Sequence, residues 1–217
     1  NKTKTTLHSQ FEQYRISEAL MTVYTTFRDE FSSWLLEIIK PAYGQPIDKQ
    51  TYETTLRLFE ELMQLLHPFM PFITEEVWQN LKERKKGESI MVSVISENKP
   101  YDETILRAFE YVKEVIVGIR NIRKQNNIAF KDALSLHVKK SDRYPVTFES
   151  VIQKMGNMET VETVNDAPQG SWSFIVDTVE YFIPAAGQVD TTELKTKLEA
   201  ELLYTQGFLK SVTAKLS

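Results

Sequence analysis

Two prolines three residues apart constrain this chain more than any other feature. They sit at 68 and 71 in the run His-Pro-Phe-Met-Pro-Phe-Ile-Thr-Glu-Glu-Val-Trp, residues 67–78. Pro68 biases His67 away from the helical region, so the amphipathic helix before it is predicted to stop there. Pro71 lacks an N–H that a first helical turn leaves unbonded anyway, and it opens the next helix. Thr74 offers a capping hydroxyl, and Glu75 and Glu76 bring negative charge to the positive end of that helix. The run predicts a tight corner between two packed helices.

Helical spacing surrounds that corner. Ser17 and Glu18 begin a helix whose apolar stripe reads Leu20, Val23, Tyr24, Phe27, Phe31, Trp34, Leu35 and Ile38, up to a turn at Pro41-Ala42-Tyr43-Gly44. Leu7, Phe11 and Tyr14 predict a shorter helix before it. Asp48 caps a second long helix with Tyr52, Leu56, Phe59, Leu62, Met63 and Leu66 on its buried face. After the corner, Ile73, Val77 and Leu81 mark a helix that ends in charged residues. Asp102 then caps one with Ile105, Phe109, Val112, Ile116 and Ile119 inward. Antiparallel helices joined by short loops predict a four-helix bundle.

The pattern changes after Asn127. Leu134, Leu136 and Val138 alternate with polar residues, as in a half-buried strand. Residues 144–155 read as a short helix, while 160–164 and 172–183 favour strand; an extra strand is expected at 89–95. At the end, Leu198, Leu202, Leu209, Val212 and Leu216 fall on a coiled-coil seam behind an Asp190 N-cap, with acids early and lysines late. The predicted fold is therefore mainly α: an antiparallel four-helix bundle (1–127), a small α/β appendage (128–187) and the start of a C-terminal coiled-coil arm (188–217).

Composition removes several function classes. With 41% apolar residues the 217-residue chain can bury a core, and it carries 26% charged residues. It has no cysteine, hence no disulfide, thiolate metal site or cysteine nucleophile; this fits a reducing compartment, and a cytoplasmic location is expected. No apolar run reaches the roughly 18 residues that span a bilayer, so no membrane partner is expected. The chain begins at Asn1 without a signal peptide or initiator methionine, as expected of a fragment or processed product. Its three histidines, His8, His67 and His137, are scattered, and no metal site is predicted. No glycine-rich phosphate loop or nucleophilic serine motif occurs, so neither a cofactor nor a catalytic residue is expected in this chain. The net charge of −4 hides an asymmetry. Residues 119–143 hold seven basic side chains against Asp132 and Asp142, whereas 147–193 hold eight acids and only Lys154. A local basic face is compatible with that balance.

Four blocks, in order, resemble one family. They are Phe-Arg-Asp-Glu-Phe-Ser-Ser-Trp-Leu-Leu-Glu-Ile-Ile-Lys-Pro (27–41), the proline corner, Ile-Arg-Asn-Ile-Arg (119–123), and Gly-Gln-Val-Asp (187–190) with Glu193, Leu198 and Leu202. Together they resemble the anticodon-binding helical domain and arm entry of class I aminoacyl-tRNA synthetases, the valyl enzymes most closely. The chain departs from that pattern at Leu35, where tyrosine is usual, and at Ser32-Ser33, where Cys-Asp is usual. The synthetase active-site signatures, His-Ile-Gly-His and Lys-Met-Ser-Lys-Ser, are absent.

The resemblance implies a parent enzyme, valine–tRNA ligase, that activates valine with ATP, esterifies it to tRNA(Val) and edits mischarged threonine elsewhere. The parent is expected to be monomeric. This chain would bind the anticodon stem-loop and catalyse nothing alone. Such binding needs cations for phosphates and flat side chains for unstacked bases. The candidates are Arg28, Lys40, Arg120, Arg123 and Lys124 for phosphate, and Phe31 and Trp34 for stacking. Spacings of three and four place Arg120, Arg123 and Lys124 on one helical face. Phe31 and Trp34 lie on the apolar stripe, which favours a place in the core over a stacking platform. The alternative function is a helical protein–protein interaction module with a coiled-coil dimerisation stub. Salt separates the two, since only RNA binding weakens steeply as ionic strength rises.

Overall fold

A computed structural model of the chain describes residues 1–185, 200 and 202–209. It is mainly helical, with one four-stranded sheet, and it divides into two compact units at residues 108 and 109.

The first unit contains α1 (Lys2–Glu12), α2 (Ile16–Thr25), a π-helical segment (Thr26–Leu35), α3 (Leu36–Ile39), α4 (Lys49–Leu66) and α5 (Pro71–Leu81). The stripe expected to form one α-helix from 17 to the turn at Pro41 is helical as far as Ile39, but its middle is wound as a π-helix. There the hydroxyls of Ser32 and Ser33 donate to the carbonyls of Phe27 and Arg28, five residues back, at 2.9 and 2.8 Å. Along this wider turn Phe31 stacks on both Phe27 and Phe59 of α4, and Phe27 meets Phe59 at a tilt. Asp48 caps α4 as expected, accepting from the Thr51 N–H at 2.9 Å. The apolar face of α4 carries Leu62 and Met63 into one core cluster with Phe31, Trp78 and Ile90. A second cluster joins Leu7, Ala19 and Val23, with Leu65, Leu66 and Phe69 packed against it.

The proline corner forms with Pro71 at the first position of α5, though two local expectations fail. His67 keeps helical dihedrals (φ −54°, ψ −40°) despite Pro68, because its N–H still bonds to Met63 O at 2.9 Å. Thr74 does not cap α5. It is buried, its hydroxyl donates back to Met70 O at 2.8 Å, and it meets His67 Nδ1 at 2.7 Å. The corner is thus locked by a side-chain pair from the two helices it joins. No strand forms at 89–95. Glu75 accepts from Ser89 Oγ (2.8 Å) and the Ile90 N–H (3.0 Å), which folds 90–92 into a 3-10 turn and seats Ile90 in the core.

The α6 helix (Glu103–Gln125) starts in the first unit and continues through the second. Asp102 Oδ1 accepts from the Thr104 N–H at 2.7 Å at its start. The second unit then holds β1 (Leu134–Lys139), α7 (Glu149–Gly156), β2 (Met158–Val164), β3 (Ser171–Val176) and β4 (Val179–Pro184) in the sheet order β2-β1-β4-β3. β1 and β2 are parallel, and the other neighbours are antiparallel. As the alternation predicts, Leu134, Leu136 and Val138 are buried. The 172–183 stretch is a hairpin rather than one strand; Asp177 turns it with φ 52°. Gly118 of α6 lets the Phe174 ring approach: a Cβ there would lie 2.3 Å from the ring.

The predicted arm falls mostly outside the described residues, including Asp190, Glu193, Leu198, Val212 and Leu216. Residues 202–209 are helical, with Leu202 and Leu209 exposed.

Candidate nucleic-acid interface

The seven candidate residues divide between the units: Arg28, Phe31, Trp34 and Lys40 in the first, Arg120, Arg123 and Lys124 in the second. In the first unit, Arg28 leaves the π-helical segment toward solvent. It holds Asp29 through two bonds, 2.6 and 3.0 Å, and its guanidinium lies 5.2 Å from the Tyr24 ring centre. The bond to Asp29, then that to Tyr24, raises its pKa further, so it is a permanent cation. An exposed pair of this kind exchanges readily for a phosphate. Lys40, at the end of α3, is exposed, with Nζ 3.6 Å from Glu37.

The two aromatic candidates differ. Phe31 is 6% exposed and stacks on Phe59 with centroids 5.6 Å apart, so its faces are already used. Trp34 is half-buried. Two other aromatics stand open instead. Tyr43, in the turn after α3, is fully exposed; Tyr52, expected on the buried face of α4, is half exposed. Tyr43 carried a sequence signal, since an aromatic beside glycine in a turn has no core to enter. Tyr52 carried none, because its spacing matches the buried face.

In the second unit, the expectation of one cationic face is corrected by α6 itself. Successive residues turn by about 100°. Val112, Val115, Ile116, Ile119, Ile122 and Arg123 therefore share one buried arc, and Arg120 and Lys124 fall outside it. Arg123 is 4% exposed. Its guanidinium donates to the carbonyls of Gly156 (3.2 and 3.1 Å), Ala129 (3.0 Å), Asp132 (2.8 Å) and Asn157 (3.0 Å). Burial lowers its pKa, partly opposed by Asp132. A side chain so engaged ties α6 to the loop after it and to the end of α7, and it does not reach a phosphate. Arg120 and Lys124 are exposed.

The basic run is also partly neutralised within its own unit. Lys139 meets Glu180 at 2.5 Å, and Arg143 pairs with Asp177. Arg120, Lys124, Lys131 and Lys140 of the run are exposed as well. Among the described residues no cluster of three or more metal-ligating side chains exists, and no helix is long and apolar enough to cross a membrane.

Comparison with known proteins gives this geometry a context. Residues 1–138 match the family model of the anticodon-binding domain of tRNA ligase. A valine–tRNA ligase of Phocaeicola vulgatus is 54% identical over the whole chain, and one of Parabacteroides distasonis is 49% identical over 100% of it. A more distant one, from Thermotoga maritima, is 29% identical over 92%. The chain spans about a quarter of the length of these relatives, 25%, 24% and 23% respectively. Exposed cations on helices, the proline corner between α4 and α5, and the match across 1–138 converge: this chain belongs to the family of anticodon-binding domains of tRNA ligases.

Proposed function

We propose that the chain is the tRNA-binding part of a valine–tRNA ligase and holds the anticodon stem-loop of tRNA(Val). The observation that carries this reading is the match to the anticodon-binding family over 1–138, joined to relatives named valine–tRNA ligase across the whole chain. In this reading, 1–127 form the antiparallel four-helix bundle, 128–187 the small α/β subdomain and 188–217 the start of the coiled-coil arm. The parent is a monomeric cytoplasmic enzyme that uses ATP to attach valine, with its reacting groups on other parts of the polypeptide.

Within this chain the work is positional. Arg28, Lys40, Arg120 and Lys124 meet phosphate oxygens, which fix the RNA without reading its sequence. Trp34 is the stacking residue among the original candidates. Phe31 and Arg123 hold the helices that carry the others. The test is a titration of the chain with tRNA(Val) and a non-cognate tRNA at two salt concentrations. Tighter binding of tRNA(Val), weakening as salt rises, is expected. Equal, salt-insensitive binding would replace this reading with the protein-interaction module.

A further inference from the structure

We propose that the corner between α3 and α4 is a subsite for one unstacked nucleobase, a proposal that rests on the RNA-binding reading above. A cavity of about 300 Å³ opens there. Leu36, Ile39, Ile47 and Tyr52 wall it, and Glu37 and Lys40 supply its charged groups. That volume lies at the small end of ligand pockets, which are mostly apolar with a few placed polar groups. The walls fit a flat apolar face: Tyr52 is half exposed and Leu36 is 37% exposed, so both present surface that the chain itself leaves uncovered.

The polar groups make the occupant a base. The Glu37 carboxylate accepts and the Lys40 ammonium donates, with the heads 3.6 Å apart and both more than half exposed. Every Watson–Crick edge sets a donor beside an acceptor, so such a pair can engage the edge of a flipped base. The nucleotide's own phosphate finds a cation close in sequence at Lys49, the first residue of α4, whose side chain is 87% exposed with Nζ 3.8 Å from Glu53. Three residues past Lys40, the open ring of Tyr43 is a further surface for an adjacent base. Stacking on such rings tolerates any base, while the Glu37–Lys40 pair adds hydrogen bonds at one position.

The test uses the whole chain and a set of RNA hairpins with a seven-nucleotide loop, each lacking the base at one loop position. Wild-type protein should lose roughly tenfold in affinity for one of these hairpins, the size expected of a lost stacked base. Tyr52→Ala should lose a similar factor on the intact hairpin, yet lose nothing further on that one abasic hairpin. Glu37→Gln, an isosteric exposed change, should show the same non-additivity with a smaller loss, and circular dichroism should match wild type. Salt-sensitive binding with additive losses at every position overturns the subsite and leaves the RNA-binding reading standing. If the wild-type chain binds no hairpin, both fall.

Discussion

At the scale of single residues, Arg120 and Arg123 separate two uses of one side chain. Both were legible as cations on one helix, but only a count of buried positions around the turn tells them apart. Ile119 and Ile122 set the buried arc, and Arg123 falls inside it. The carbonyls that it meets belong to residues up to 34 positions later, which no local pattern exposes. Removing Arg123 takes the donor from four carbonyls, that of Gly156 buried and those of Ala129, Asp132 and Asn157 part-buried, and bonds to charged donors contribute on the order of 1.5–3 kcal/mol each before any compensation. Arg123→Met should therefore lower the stability of the second unit by about 3 kcal/mol or more, read as a drop in urea midpoint. Arg120→Ala should stay within about 0.5 kcal/mol of wild type, as exposed substitutions do. It should instead weaken tRNA binding. A protein in which the two variants exchange these effects would contradict the assignment.

At the scale of elements, periodicity identified the helices, the alternating strand β1 and the cap at Asp48, because each depends on residues within one or two turns. It missed what distant side chains impose: the π-helical winding, the 3-10 turn at 90–92 and the hairpin break at Asp177. Glu75 illustrates this, since it looked like a charge for the helix dipole and instead pins the 3-10 turn to α5. Its bond from Gln79 foremost, then those from Ser89 and Ile90, hold its carboxyl below the usual range; Asp48 and Asp102 are likewise held low by bonds from Thr51 and Thr104. Glu60 follows, where Lys82 and Arg84 together outweigh the upward push of burial. Groups depressed in the folded state stabilise it fully above their unfolded pKa of about 4 and lose that contribution as pH falls through the folded values. The urea midpoint should thus stay level from pH 8 to 6 and drop below about pH 4, with a shallower drop in Glu75→Gln. Packing gives a second element-scale expectation. Gly118→Ala places a methyl against the Phe174 ring, and such overpacking costs about 1–3 kcal/mol. Phe174→Leu in the same chain should recover part of it, whereas an additive loss would show that the close approach is unimportant.

At the scale of the whole molecule, a chain of net charge −4 attracts RNA only if its cations are segregated from its acids. Within the second unit, Glu180 and Asp177 from the acidic stretch already engage Lys139 and Arg143 of the basic run. Few phosphate contacts are therefore available, and the salt dependence of binding counts them. Each neutralised phosphate contributes about −0.9 to the slope of log affinity against log salt on a duplex stem, and about −0.7 on a single-stranded loop. Replacing Arg120 and Lys124 together with alanine should make the slope shallower by roughly 1.4–1.8 if both meet phosphate. Arg123→Met, measured where the chain remains folded, should leave the slope alone because its charge never faces the RNA. A slope unchanged in the double variant would move the phosphate contacts to the first unit, onto Arg28 and Lys40. The same titration on Arg28→Ala and Lys40→Met then locates them, since the variant that flattens the slope names the helix against which the RNA backbone lies.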